Sequence, residues 1–194
     1  MKKALFIIIT VLLVDQLSKI YIKTNFFYGE EVVVFDWFRI HFIENNGMAW
    51  GAEFGGKAGK LFLTIFRLFA IAGIGYWLYT SIKNNAHSIL IVAISLIFAG
   101  AMGNIIDSVF YGILFSSSYG QVATLFPDTG YAPLFYGSVV DMIQFPLATW
   151  IWPDWIPFIG GEEYTFFEYV FNIADFAISC GVGILLFFNK RIFG

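Results

Sequence analysis

The chain has 194 residues, of which 59% are hydrophobic and 13% are charged, and its formal net charge at pH 7 is −3. Soluble domains carry roughly 45 to 50% apolar and about 25% charged residues, so this composition excludes an ordinary soluble domain and indicates an integral membrane protein. The small negative charge, without a basic patch, gives no reason to expect nucleic acid as a partner. We expect a single membrane-embedded domain over residues 1–194.

Four apolar stretches have the length of a membrane-spanning helix, because about 20 residues at roughly 1.5 Å each cross a hydrocarbon core of about 30 Å. They cover residues of about 4–21, 61–81, 88–113 and 166–188. Asp15 and Lys19 interrupt the first stretch, which argues against a cleavable secretory signal. The sequence therefore predicts an α-helical membrane protein with four transmembrane helices.

Basic residues at the ends of these stretches predict how the helices are oriented. They lie at the N-terminus, in the turn between the second and third helices, and at the C-terminus, as Lys2, Lys3, Lys83, Lys190 and Arg191. By the positive-inside rule these ends face the cytoplasm. The two long connections, of about 22–60 and 114–165, then lie outside and carry most of the acidic residues.

The first outer loop has the pattern of a small extracytoplasmic β-sheet. Residues 31–43 are rich in β-branched and aromatic side chains, which predicts one or two strands, and Asn46-Gly47 is a turn signal. The second outer loop is long and contains aromatic residues of the kind found at membrane–water interfaces, namely Trp150, Trp152, Trp155 and Tyr164.

Aspartates inside or beside apolar helices indicate where chemistry takes place, since an ionisable residue at membrane depth costs roughly 2.5 to 3.5 kcal/mol on insertion scales. Asn104 precedes Asp107 by three residues, and Asn172 precedes Asp175 by the same spacing, so each pair is expected on one helix face. Asp175 is expected two or three turns below the outer surface.

Asp141 is expected to meet Asp175 from the outer loop or from a short re-entrant segment. Two facing carboxylates in a partly desolvated site share one proton, and they supply an acid and a base for activating water.

Other chemistries are less favoured by the sequence. His41 and His87 are expected on opposite sides of the membrane, and the H-E-x-x-H, G-x-S-x-G and P-loop strings do not occur. We expect neither a metal nor a cofactor. An aspartate paired with lysine can also be purely structural, as four-residue spacing suggests for Asp15 and Lys19. The alternative function is a small carboxylate-based transporter or ion-coupled membrane subunit.

Five motifs resemble, in order, the signature of lipoprotein signal peptidase, also called signal peptidase II. They are D-Q-L-S-K at 15–19, N-N-G-M-A-W at 45–50, G-N-I-I-D at 103–107, V-V-D-M-I at 139–143 and F-N-I-A-D-F-A-I at 171–178. The resemblance implies a four-helix aspartyl endopeptidase of the bacterial inner membrane with its active site toward the periplasm. It implies cleavage of diacylated prolipoproteins just before the lipid-modified cysteine, with membrane lipid as a partner and globomycin as an inhibitor. We expect a monomer.

The resemblance also implies a role for each matching residue. Asp141 and Asp175 match the catalytic pair, one acting as base toward the water and the other as acid. Asp15 and Lys19 would be structural. The residues that would orient the pair or line the substrate groove are Asn45, Gly47, Asn104, Asp107 and Asn172.

Two features depart from the family pattern. Ser108 stands where the family usually has an arginine, so whatever that arginine contacts needs another donor. We hypothesise that Arg67, about two turns into the second helix from its outer end, supplies part of that role, the simpler interpretation being a side chain that extends to the lipid headgroups. The stretches 116–137 and 145–164 also look longer than expected for the family.

The orientation predicts which positions react from outside the cell. In a Cys180→Ala background, a membrane-impermeant maleimide added to intact cells should label Trp152→Cys and leave Lys83→Cys unlabelled until the cells are lysed. Labelling of Lys83→Cys in intact cells would contradict the predicted topology.

Overall fold

The computed structural model describes residues 1–46 and 56–193. Its helices are α1 (Lys2–Asn25), α2 (Gly56–Lys83), α3 (Ser88–Ile106), α4 (Gly112–Leu114), α5 (Ile173–Phe187) and α6 (Asn189–Phe193). A π-helical segment, Asp107–Tyr111, joins α3 to α4, so that one continuous helical rod runs from Ser88 to Leu114. The strands are β1 (Glu31–Phe35), β2 (Phe38–Asn45), β3 (Val139–Gln144), β4 (Ala148–Ile151), β5 (Glu163–Phe166) and β6 (Val170–Phe171).

Three helices within the described residues are long and apolar enough to cross a membrane, namely Lys2–Asn25, Gly56–Lys83 and Ser88–Leu114. They match the first three predicted spans to within a few residues at each end. The fourth differs, because α5 has only 15 residues and begins at Ile173 instead of near residue 166. A four-span topology therefore stays a prediction.

The late start of α5 has a local cause in a capping box. The Asn172 side-chain oxygen accepts a hydrogen bond from the backbone N–H of Asp175. In return, the Asp175 carboxylate accepts one from the backbone N–H of Asn172. This reciprocal pair satisfies amide groups that would otherwise lack partners in the first turn. Asn172 and Asp175 are thus neighbours across a helix start, so the expectation that they share a face within a helix was wrong. The expected depth of Asp175 below the outer surface stays a prediction.

Close packing of α5 against α3 sets the level at which α5 begins. A Cβ atom on Gly100 would lie 2.2 Å from the carbonyl oxygen of Ala174, and one on Gly181 would lie 2.7 Å from that of Ala93. The helices are therefore antiparallel and in contact at their backbones, with the start of α5 level with Gly100. From there the helical rod of α3 continues to Leu114, roughly 20 Å further at about 1.5 Å per residue. The N-terminus of α5 is recessed below the end of that rod.

A four-stranded antiparallel sheet in the order β1-β2-β3-β6 covers this recess. The two strands predicted in the first outer loop are confirmed as β1 and β2. Asp141 lies on β3, directly opposite Ile43 of β2, within the second outer connection from which it was expected to meet Asp175. The sequence did not predict that this part of the connection is a strand. Gly47, and with it the predicted Asn46-Gly47 turn, lies outside the described residues.

The sheet is held to the helices by an apolar cluster and a buried ion pair. Ile22 of α1 packs with Tyr111 of the π-helical segment and with Phe42 and Val140 of the sheet. The ammonium group of Lys23 pairs with Glu44 of β2, donates a hydrogen bond to Ser118, and lies over aromatic rings. The end of α1 is thereby fixed to the sheet that carries Asp141.

A separate hairpin, β4–β5, lies in the second outer loop. The rings of Trp150, Trp152 and Tyr164 pack against one another there. Their placement at the membrane–water interface stays a prediction.

Candidate active site

Two aspartates from different elements are brought together where β3 meets the start of α5. The Nδ2 atom of Asn172 donates to Asp141 Oδ1 at 2.7 Å, and the Nδ2 atom of Asn104 donates to Asp175 Oδ1 at 2.7 Å. Asn172 Nδ2 also lies 3.1 Å from Asn104 Oδ1. Two asparagines thus link Asp141 to Asp175 through a continuous chain of hydrogen bonds.

The two carboxyl groups have different surroundings. Asp141 is only 3% exposed, whereas Asp175 is partly exposed. Burial, followed by the nearby negative charge of Asp175, raises the pKa of the Asp141 carboxyl to about 7. Hydrogen bonds from Asn45 and Asn172 and the charge of Lys19 oppose that rise in part. Asp141 therefore holds a proton below about pH 7 and is the group better suited to donate one near neutral pH.

A buried lysine with two carboxylates lies next to Asn104, one of the asparagines that link Asp141 to Asp175. The Lys19 ammonium lies 2.9 Å from Asp15 Oδ2 and 2.8 Å from Asp107 Oδ2, and all three side chains are fully buried. It also donates to Asn104 Oδ1 at 3.0 Å. Gln16 Nε2 bridges the same two carboxylates, at 3.0 Å from Asp15 and 3.0 Å from Asp107. We call Asp15, Gln16, Lys19 and Asp107 the Lys19 cluster.

Each carboxylate of the Lys19 cluster holds the backbone beside one of the two linked aspartates. Asp15 Oδ1 accepts a hydrogen bond from the amide of Ala174, the residue before Asp175, at 2.9 Å. Asp107 Oδ2 accepts one from the amide of Val140, the residue before Asp141, at 3.3 Å. The Lys19 ammonium is therefore connected, through Asp15 and Asp107, to both the helix that carries Asp175 and the strand that carries Asp141.

The structure brings most of the sequence-predicted residues together. Asn45, Asn104 and Asn172 contact the two aspartates directly, and the expected Asp15–Lys19 ion pair is present. Asp107 contacts Lys19, Gln16 and the Val140 backbone instead, so it acts one layer behind the pair. Gly47 lies outside the described residues.

Gln16 was missed by the sequence reasoning. The available signal was its position on one helical face with Lys19 and Lys23, at three- and seven-residue spacing within an apolar run.

Arg67 of α2 shares a cavity with the candidate pair. The cavity measures about 280 Å³, and its lining includes Arg67, Asn104 and Asp175. The hydroxyl of Ser108, at the position where an arginine is usual in the resembling family, donates to the Asn104 carbonyl at 2.9 Å. Arg67 thus lines the same cavity as Asp175 from a neighbouring helix, while the Ser108 hydroxyl is hydrogen-bonded within its own helix. A role for Arg67 in place of the missing arginine stays a prediction.

The chain is similar to a known protein family, to individual members of it, and to a solved membrane enzyme. The chain matches the family model described as signal peptidase (SPase) II over residues 7–190. It is 49% identical to a lipoprotein signal peptidase of Porphyromonas gingivalis, over 93% of this chain and 79% of that protein. It is 36% identical to one of Amoebophilus asiaticus, over 92% of this chain and 73% of that protein. A solved bacterial membrane enzyme, determined by the in meso method, matches with a TM-score of 0.63 and 26% identity, covering 98% of this chain and 89% of that one.

We expect removal of the Lys19 charge to destabilise the folded protein. Lys19→Met should lower the free energy of unfolding by about 3–5 kcal/mol, because two buried carboxylates lose their counter-ion. The measurement is the thermal unfolding midpoint in detergent, with the exposed Lys2→Met as control. Adding Asp15→Asn and Asp107→Asn to Lys19→Met should restore part of the loss. An unfolding midpoint unchanged by Lys19→Met would contradict the counter-ion role.

Proposed function

The chain belongs to the signal peptidase II family, and on that basis we propose that it is an aspartyl endopeptidase that removes signal peptides from prolipoproteins. The bond cleaved is the one just before the diacylglyceryl-modified cysteine. The observation that carries the proposal is the pairing of Asp141 and Asp175 through two asparagines, at the base of a recess in an apolar helix bundle. Asp141 and Asp175 are the catalytic residues, and Asn45, Asn104 and Asn172 orient them.

The depth of the site suits a substrate anchored in the bilayer. The modified cysteine of a prolipoprotein lies at the end of an apolar signal segment and carries lipid, so its scissile bond stays close to the membrane. A site at the start of α5, below the end of the Ser88–Leu114 rod, reaches that bond without drawing it into water. The basic helix ends favour a bacterial inner-membrane protein with this site on the periplasmic side. Globomycin is expected to compete for the same recess.

The two carboxyl groups divide the proton transfers of peptide hydrolysis. The Asp175 carboxylate takes a proton from water as the water oxygen attacks the scissile carbonyl carbon, and Asp141 gives its proton to the carbonyl oxygen. The resulting diol collapses as Asp175 returns a proton to the departing nitrogen and Asp141 recovers one from a hydroxyl. The carbon–nitrogen bond breaks and both groups regain their starting states. Above about pH 7 the acid is lost, because Asp141 is then deprotonated.

The transporter alternative is less well supported. A relay needs polar groups spaced across the membrane. The buried carboxylates Asp15, Asp107 and Asp141 instead meet at one level, around the start of α5 and the adjoining strand. That arrangement suits a single reaction site.

The catalytic proposal is tested by two isosteric substitutions. Asp141→Asn and Asp175→Asn should each reduce cleavage of a diacylated prolipoprotein by at least about a thousandfold, because asparagine keeps the shape but cannot exchange a proton. The double variant should be little worse than either single one, since the pair acts as a unit. Turnover is measured on purified protein in lipid or detergent.

Substrate binding and the unfolding midpoint serve as controls for these variants, together with the exposed Asp128→Asn, which should keep full activity. If either single variant kept near-normal turnover, or lost it only by failing to fold, its aspartate would not be the proposed catalyst. Asp107 would then be the next candidate.

We further propose that Arg67 holds a substrate carbonyl or orients Asp175, in place of the arginine replaced by Ser108. Arg67→Gln should lower kcat/KM roughly tenfold or more, since a hydrogen bond to a charged group contributes about 1.5–3 kcal/mol. Arg67→Lys should retain part of the activity, and Lys57→Gln, at the exposed start of α2, should retain all of it. Unchanged kcat/KM in Arg67→Gln would leave only extension to the headgroups as the role of this side chain.

A further inference from the structure

A second groove lies beside the four-stranded sheet, and one of its lining residues, Ile43, is paired with Asp141. It measures about 410 Å³ and is lined by His41 and Ile43 of β2, Gln144 of β3, and side chains of the 164–170 stretch. We call it the outer groove. The 164–170 stretch, which precedes the start of α5 in the chain, forms one wall of the outer groove.

Buried polar atoms beside the outer groove lack partners. Gln144 is 7% exposed, and its Nε2 atom donates to the Glu168 carbonyl at 2.9 Å. A carbonyl oxygen can only accept, so the amide nitrogen must face Glu168, and the Oε1 atom has no hydrogen-bond partner among the described residues. The Nδ1 atom of His41 makes no hydrogen bond in the described part of the chain, but it faces Glu31 Oε2 at 3.9 Å, so Gln144 Oε1 is the atom that a bound donor would satisfy. A buried polar atom without a hydrogen-bond partner is destabilising, and a bound donor would offset that cost.

The outer groove reaches the strand that carries Asp141. Ile43, in its lining, lies directly opposite Asp141 in the sheet. Gln144 follows Asp141 by three residues on the same strand, or roughly 10 Å at about 3.3 Å per residue. About three residues of an extended peptide span that distance. Because side chains alternate along a strand, the Gln144 side chain is on the face opposite that of Asp141, so the peptide would pass the end of β3, where Gln144 is the last residue.

We propose that the outer groove binds the polypeptide segment that follows the modified cysteine of the substrate. In this arrangement a backbone N–H of that segment donates to Gln144 Oε1, and its side chains lie against Tyr164, Phe167 and Tyr169. The direction in which the substrate chain runs follows from its polarity, because the apolar signal segment before the cysteine remains with the helices and the bilayer. The polar chain after the cysteine must leave over the sheet. This inference rests on the proposed peptidase function and adds a second determinant of substrate recognition.

The test compares two diacylated peptides with the same signal segment and cysteine, one ending two residues after the cysteine and the other ending eight residues after it. The wild-type protein should cleave the longer peptide with a kcat/KM at least fivefold higher. Gln144→Met should bring that ratio close to one, because methionine keeps the length but offers no amide. Gln121→Met, the same change at an exposed glutamine of the outer loop, should leave the ratio as in the wild type.

Thr165→Trp, which fills the outer groove from its opposite wall, should also bring the ratio close to one. The wild-type comparison is decisive without any variant, because equal kcat/KM values for the two peptides would overturn the proposal. A ratio that survives in folded Gln144→Met and Thr165→Trp proteins would overturn it too. Failure of the wild-type protein to cleave either peptide would instead overturn the proposed function, and with it the role of the groove.

Discussion

One buried ammonium group, that of Lys19, joins the parts of this protein that the proposed chemistry needs. It pairs with both Asp15 and Asp107, whose side chains are fully buried, and each of these carboxylates also accepts a hydrogen bond from a backbone amide. One amide belongs to the start of α5 and the other to β3. Without the ammonium, the two buried carboxylates would lack their shared counter-ion and would repel each other. The Lys19 ammonium is therefore linked, through these two carboxylates, both to the start of α5 and to β3.

The depth of the site follows from glycine and from helix capping. Gly100, Gly103 and Gly181 allow α3 and α5 to meet at their backbones, and a Cβ on Gly103 would lie 2.6 Å from the Asp15 carboxylate. The capping box at Asn172 ends the preceding strand and starts α5 well below the end of the neighbouring rod. The same asparagine donates to Asp141, so the residue that begins the helix also orients the opposite carboxyl group. Asn172 therefore both caps the backbone at the start of α5 and orients the Asp141 carboxyl group.

Much of the site could be predicted from the sequence, and the errors have definite physical causes. An aspartate within or at the end of an apolar run is costly enough to need a reason, which drew attention to Asp15, Asp107 and Asp175. Asp141 was added because its part of the outer loop could meet Asp175, and the family resemblance then matched those two to a catalytic pair. The start of α5 was misplaced because hydrophobicity alone extends through Phe166–Phe171, where short strands form instead. The N-x-x-D string at Asn172 carried the correct signal as a capping pattern, but it was interpreted as two residues on a helix face.

Composition, apolar run lengths and the order of five short motifs determined that the chain is a membrane protein of a peptidase family, because these depend on local sequence and bilayer thickness. They also determined the first three helices and the two strands of the first outer loop. Only the tertiary structure decided that Asp141 lies on a strand, that Lys19 pairs with Asp107 as well as Asp15, and that Gln144 retains an unpartnered oxygen beside the outer groove among the described residues. Those features depend on contacts between residues far apart in the chain, and neither periodicity nor spacing records which side chains meet across elements.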